Sequence, residues 1–190
     1  MKKLLAICLI GTWALAATAC SDKKEETPAT EGSITVNGRT EMVGSGFCDY
    51  GRADGYDQKC WTILLCNEAL DKMPVSGPDF YICVSVPETH MGKIIILTDP
   101  LESKGWPKPC ISIAVPGRLM QVNDRRTTVF DLQDNDRIPS EITLSEGMVE
   151  MIRDGMEFSL KLNMRFSDGN TAIANWRGKI TRFDTDMRPF

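Results

Sequence analysis

Between Met156 and Phe166 the chain alternates without a break. Met156, Phe158, Leu160, Leu162, Met164 and Phe166 are apolar, and Glu157, Ser159, Lys161, Asn163 and Arg165 stand between them. That period of two predicts a half-buried antiparallel strand. Asp154-Gly155 precedes it and Asp168-Gly169 follows it, both hairpin signals. A two-residue turn at Asp154-Gly155 predicts Met151 opposite Phe158 and Val149 opposite Leu160, which keeps the apolar sets on one face. At the other end a two-residue loop would set Leu162 against Asn175 and Leu160 against Arg177, core face against polar face. A three-residue loop, Asp168-Gly169-Asn170, restores the match. Phe166 then faces Ala172, Met164 faces Ala174, Leu162 faces Trp176 and Phe158 faces Ile180. Because a slip of one residue flips a whole face, the longer loop is expected, with Asn170 in the left-handed conformation it needs. Residues 147–183 therefore read as a three-stranded meander.

The rest of the pattern is shorter in range. Asn37-Gly38 separates Ile34-Thr35-Val36 from the stretch 39–43, a hairpin signal. Stretches 60–66, 80–86, 93–97, 111–115, 119–122 and 127–132 also read as strands, with Pro, Gly, Asp and Asn between them. Residues 49–57 read as a Gly-rich loop, and 68–73 as a single helical turn before Pro74. The expected fold is all-β: an antiparallel meander forming a barrel or sandwich of about 8–10 strands. No repeat unit is visible.

The first residues read as an address rather than as fold. Lys2 and Lys3 precede an apolar run from Leu4 to Ala16, then the small residues Ala17, Thr18 and Ala19, then Cys20. The run is too short for a membrane-spanning helix of about 20 residues, so a cleaved secretory signal is expected over 1–19. Ala17-Thr18-Ala19-Cys20 resembles the lipobox of bacterial lipoproteins, with Ala17 where that family usually carries Leu. The resemblance implies cleavage before Cys20 and a diacylglycerol on its thiol. Ser21-Asp22-Lys23-Lys24-Glu25-Glu26 resembles the acidic export signal of Bacteroidota lipoproteins, and so implies the outer membrane and its outer face. As charge alone it reads as a solvated tether. A lipid-anchored flexible tether is expected over 20–32 and a single β domain over 33–190.

Composition narrows the function classes. The 190 residues carry 22 Lys+Arg and 26 Asp+Glu, a formal net charge of −4. Losing Lys2 and Lys3 with the signal makes the mature chain more acidic still. No nucleic-acid partner is expected from such a chain. One His, His90, rules out sites built on two histidines.

The two ends of the mature chain resemble the small β-rich lipoproteins of Bacteroidota. The opening is Gly-Ser-Ile-Thr-Val-Asn-Gly (32–38). The closing stretch runs from Phe158 through Ser167-Asp168-Gly169 to Gly178-Lys179 and Thr181. That resemblance implies a calycin-like barrel. Many members have no assigned molecular function, and the lipocalin Gly-x-Trp signature is missing from the mature chain. The middle, 47–145, carries no resemblance.

Candidate chemistry is sparse. Cys48, Cys60, Cys66, Cys83 and Cys110 are left beside Cys20. Buried thiols, one or two disulfides, and metal or redox chemistry are the three readings open to them, the last without any Cys-x-x-Cys to support it. Cys60 and Cys66 share a strand face opposite Trp61, Ile63 and Leu65, and Cys83 shares one with Tyr81. His90 follows Pro87-Glu88-Thr89 in a turn, and no Gly-x-Ser-x-Gly elbow accompanies it. Asp49, Asp54 and Asp57 form one acidic cluster and Asp131, Asp134 and Asp136 another, and both read as solvated loops before they read as calcium sites. Trp61 and Trp176 fall on strands as core. Trp106 sits in a Pro-rich loop, Lys104-Gly105-Trp106-Pro107-Lys108-Pro109, where it can stack on a sugar or anchor a partner. Tyr50 and Tyr56 lie in the Gly-rich loop with the first acidic cluster; they and Trp106 are the candidate ligand-binding residues, and Cys20 the lipidation site. No catalytic residue, metal or cofactor is assigned. A non-catalytic envelope lipoprotein binding a small ligand or glycan is expected. The rival is a structural or adhesive surface subunit working through protein–protein contacts.

Overall fold

The computed structural model describes residues 31–52, 59–70, 78–97, 110–123, 126–131 and 140–182. Cys20, the signal and most of the tether lie outside them, as do Asp54, Tyr56, Asp57, Trp106, Asp134 and Asp136 and the side chain of Cys110. Among the described residues, no helix is long and apolar enough to cross a membrane.

The chain is all-β, as its alternation predicts. Its strands are β1 (Glu31–Val36), β2 (Arg39–Met42), β3 (Ser45–Arg52), β4 (Lys59–Cys66), β5 (Tyr81–Pro87), β6 (Ile94–Ile96), β7 (Cys110–Val115), β8 (Arg118–Asn123), β9 (Arg126–Asp131), β10 (Ser140–Asp154), β11 (Glu157–Phe166), β12 (Thr171–Lys179) and β13 (Thr181–Arg182), with one 3-10 turn at Glu88–His90. Pairing follows the order β13-β3-β4-β5-β7-β8-β9-β10-β11-β12-β1-β2, with β6 on β10. All the pairings are antiparallel except the last contact, in which β13 runs parallel to β3 with Thr181 opposite Phe47. Since β13 continues β12 past Ile180, the sheet curls back toward its start and becomes barrel-like. A Cβ on Gly46 of β3 would come within 3.3 Å of the Trp176 ring of β12, so the two sides of the curl meet there.

Two strands exceed the sequence expectation. β3 lies where a loop is expected. Its alternation is hidden because Phe47, on the outer face, is also buried, in a second cluster with Leu64 and Cys66. β10 begins seven residues before 147. Its first part pairs with β9 from Ser140 to Thr143, and its second with β11, the register shifting between Leu144 and Glu146. That bulge bends the long strand around the corner of the curl. The stretch Glu68 to Leu70 forms no helical turn.

The meander's hairpins keep the expected faces but not the expected partners. Asp154 pairs with Glu157, so the two-residue turn is Gly155-Met156, and Met151 faces Leu160 and Val149 faces Leu162. The glycine takes the first turn position with φ of 61°, which glycine tolerates best there. At the far end Phe166 N–H donates to the Asn170 carbonyl at 2.9 Å, and Gly169 N–H to the Phe166 carbonyl at 3.0 Å. The three-residue loop is Ser167-Asp168-Gly169. Gly169, at φ of 85°, holds the left-handed position expected of Asn170. Consequently Met164 faces Ala172, Leu162 faces Ala174 and Leu160 faces Trp176. Both registers move by two residues. That preserves every face, because parity rather than position carries the burial argument. The Asn37-Gly38 hairpin forms as expected, with Val36 opposite Arg39.

Inside the curl lies one continuous apolar cluster. β4 contributes Ile63 and Leu65, β5 Ile82 and Val84, β7 Ile111 and Ile113, β8 Met120, β10 Val149 and Met151, β11 Leu160 to Phe166, and β12 Trp176. Most of these are 0 to 2% exposed. The space between the strands is occupied by side chains, as in a small barrel whose interior is its core.

Candidate functional site

The inward rows of side chains change character at one end of the barrel. Along β10 the inward positions read Val149, Met151, then Arg153; along β3 they read Cys48, then Tyr50; β5 supplies Val84 and Val86 and is followed by Glu88. β4 enters at this end with Lys59 and Trp61. Cross-strand register sets Tyr50 directly opposite Trp61, and Arg153 opposite Phe158.

These residues form a stack. The Tyr50 and Trp61 rings lie 4.5 Å apart at 30°, and Phe158 meets Trp61 at 5.5 Å with its plane tilted 59°. Offset and tilted contacts of this kind suit aromatic quadrupoles. The Arg153 guanidinium covers the Trp61 ring at 4.1 Å and reaches toward Phe158 at 5.9 Å. Lys59 Nζ lies 5.2 Å over the Tyr50 ring. Each cation is thus attracted to an aromatic face. Tyr50 Oη donates to Glu88 Oε2 at 2.6 Å. That hydrogen bond, more than desolvation or the Glu88 charge, raises the Tyr50 pKa above its ordinary value, while Arg153 pulls the other way. Phe158 is buried and Trp61 nearly so, whereas Lys59, Glu88 and Arg153 are exposed and Tyr50 is half-buried. The rim is therefore a rigid aromatic floor with two cations and a carboxylate standing around it.

Of the candidate residues, Tyr50 belongs to this rim. It lies on β3 rather than in a loop. Tyr56 and Trp106 lie outside the described residues. Trp176 is buried in the core as expected. Trp61 is buried too, but it anchors the rim. Lys59, Glu88, Arg153 and Phe158 were not singled out by the sequence. Arg153 carried a signal, as the polar residue at the end of an inward apolar row. Glu88 is brought in only by the 3-10 turn and had none.

The remaining candidates lie apart. The Asp49 carboxylate accepts from the Tyr50 backbone N–H at 2.8 Å, and Asp131 ends β9. No group of three His, Cys, Asp or Glu able to hold a metal occurs among the described residues. His90 ends the 3-10 turn with its Nδ1 3.0 Å from Thr89 Oγ1, and burial, helped by Lys93, lowers its pKa. Cys48 faces the core, Cys60 and Cys66 share the other face of β4, and Cys83 lies beyond them on β5. The Cys66 thiol donates to the carbonyls of Ser45 at 3.7 Å and Glu68 at 3.6 Å. Burial pushes its pKa up to about 11, which leaves almost no thiolate at neutral pH.

No protein-family model, no curated protein and no solved structure matches the chain.

Proposed function

We propose that the protein is a non-catalytic, lipid-anchored envelope lipoprotein that binds a small ligand or glycan on the rim of its barrel. The observation that carries this is the contrast between a packed interior and the exposed Lys59, Glu88 and Arg153 around the Tyr50–Trp61 stack. An aromatic floor with charged donors and an acceptor at its edge suits a sugar ring. Its hydroxyls would bond the rim, and the half-buried Tyr50 is the ring left for its apolar face, since Trp61 is covered by Tyr50 and Arg153. The lipobox-like residues ending at Cys20 and the acidic tether support an anchor in the outer membrane, facing outward. Thermal-shift screening of the protein against a broad set of glycans and metabolites tests the reading. A stabilising hit that is lost in Tyr50→Ala supports it, and a screen without any hit counts against it. The rival reading, a structural or adhesive subunit, draws on another part of the molecule: the exposed edge of β6.

A further inference from the structure

β6 consists of three consecutive isoleucines, Ile94-Ile95-Ile96. Ile95 is buried in the core, but Ile94 and Ile96 are 58% and 42% exposed. The hydrogen bonds around the strand show which way its backbone faces. Leu97 N–H donates to the Gly147 carbonyl at 2.8 Å, in register with the β6–β10 ladder, whereas Gly92 N–H, bonded to the Met151 carbonyl at 2.7 Å, lies one residue out of that register before the strand begins. Bonded and non-bonded pairs alternate along an antiparallel ladder. Hence Leu97 and Ile95 spend their polar groups on β10, and Ile94 and Ile96 turn theirs away from it. Among the described residues no strand pairs with that outer edge. Among the described residues the edge thus shows backbone groups without a strand partner beside exposed isoleucine side chains. Its outer face continues onto β10, where Ile94 lies across from Glu150 and Ile96 from Met148, with Ile152 43% exposed beyond.

We propose that this edge pairs with the same edge of a second copy of the chain, antiparallel, with the two-fold axis at Ile95. The proposal rests on the rival reading above and is independent of the rim. Three observations point to a second copy. First, the strand is its own reverse: a two-fold at Ile95 sets Ile94 of each copy against Ile96 of the other, so one patch complements itself, as an isologous interface requires. Second, the charges permit it. In that register Lys93 faces Leu97 of the other copy, so no like charges stand opposite. Among the described residues the carboxylate beside the patch is Glu150, a strand further in, with Lys161 Nζ 3.6 Å from its Oε2. Third, no charge or proline falls within Ile94–Ile96, so its shortness, three residues, is the one device that shields this edge from pairing. Pairing would join two barrels through one continuous sheet and cover the isoleucines on its outer face.

Sedimentation velocity over a concentration series, with far-UV circular dichroism and melting as folding controls, tests the interface. The wild-type protein is expected to pass from monomer to dimer. Ile96→Lys is expected to stay monomeric with its spectrum and melting temperature unchanged, because that side chain is exposed and its N–H turns away from β10. Crosslinking checks the register. Ile94→Cys and Ile96→Cys face each other only across a mixed dimer, so mild oxidation should yield a covalent dimer from the mixture and not from either variant alone. Wild-type protein that remains monomeric throughout, a dimer that Ile96→Lys leaves intact, or equal crosslinking with and without mixing would each overturn the proposal. A monomeric protein would leave the rim reading standing, since its test is binding and not association.

Discussion

The interior of the barrel and its rim are built on the same strands in the same alternation, yet they hold different chemistry. On β10, Val149 and Met151 are buried in the core while Arg153, two residues on, is exposed over Trp61. On β3, Cys48 is fully buried while Tyr50 is half-buried and hydrogen-bonded to Glu88. Nothing in the backbone distinguishes these positions. Depth does: an inward position surrounded by strands must be apolar to avoid unpaired polar groups, whereas the last inward position reaches water and can carry charge. In a barrel whose interior is filled, recognition has to begin where the filling stops.

The comparison can be broken first from the inside. Leu160→Ala removes a fully buried side chain opposite Trp176 and should destabilise the protein by about 2–5 kcal/mol in denaturant unfolding, the usual cost of such a cavity. A much smaller loss would mean that the interior is looser than described. A second interior change sharpens the contrast. Thr127 on β9 is 0% exposed and its hydroxyl has no hydrogen-bond partner among the described residues. Replacing it with valine removes that unpaired group at nearly constant shape, so Thr127→Val should raise stability by about 1 kcal/mol. No gain would mean that the hydroxyl is satisfied after all.

Rim changes should behave in the opposite way, with little effect on stability and much on binding. Arg153→Ala gives up a cation–aromatic contact and should cost about 0.5–1 kcal/mol, because the guanidinium is exposed. The smallest effect belongs to the Tyr50–Glu88 hydrogen bond. With the Tyr50 pKa raised in the folded state, the protonated phenol favours folding. Its contribution is fully present below the ordinary value of 10.0 and is lost as pH climbs beyond it. Melting temperatures of wild type and Tyr50→Phe, measured from neutral to strongly alkaline pH, should therefore converge at the alkaline end. Curves that stay parallel would show that the bond adds nothing.

The sequence revealed the fold better than the site, for a physical reason. A half-buried strand writes its burial into every second residue, which is why β11 and the faces of its neighbours were legible. Turn positions are written more weakly: Gly155 and Gly169 each shifted a hairpin by one residue and a register by two without exposing a single core side chain. β3 was missed because both of its faces are covered, Phe47 by Leu64 and Cys66 and Cys48 by the core. The rim joins residues from four distant segments: the register of β10 against β11 sets Arg153 beside Phe158, that of β3 against β4 sets Tyr50 beside Trp61, and the curl of the sheet brings the two pairs together. Tyr50 stands out in the sequence only as a tyrosine of the Gly-rich stretch 49–57. Lys59 and Glu88 looked like any other surface charge.

On the proposed reading, ligands are held on the rim and not within the barrel. The most direct test titrates the wild-type protein and Arg153→Ala with a glycan that shifts its melting temperature, following tryptophan fluorescence, since Trp61 lies beneath the guanidinium. A saturable change is expected in wild type, with an affinity at least about tenfold weaker in Arg153→Ala, equivalent to about 1.4 kcal/mol of lost contact. Equal affinity in the two proteins would contradict that reading and place the ligand elsewhere.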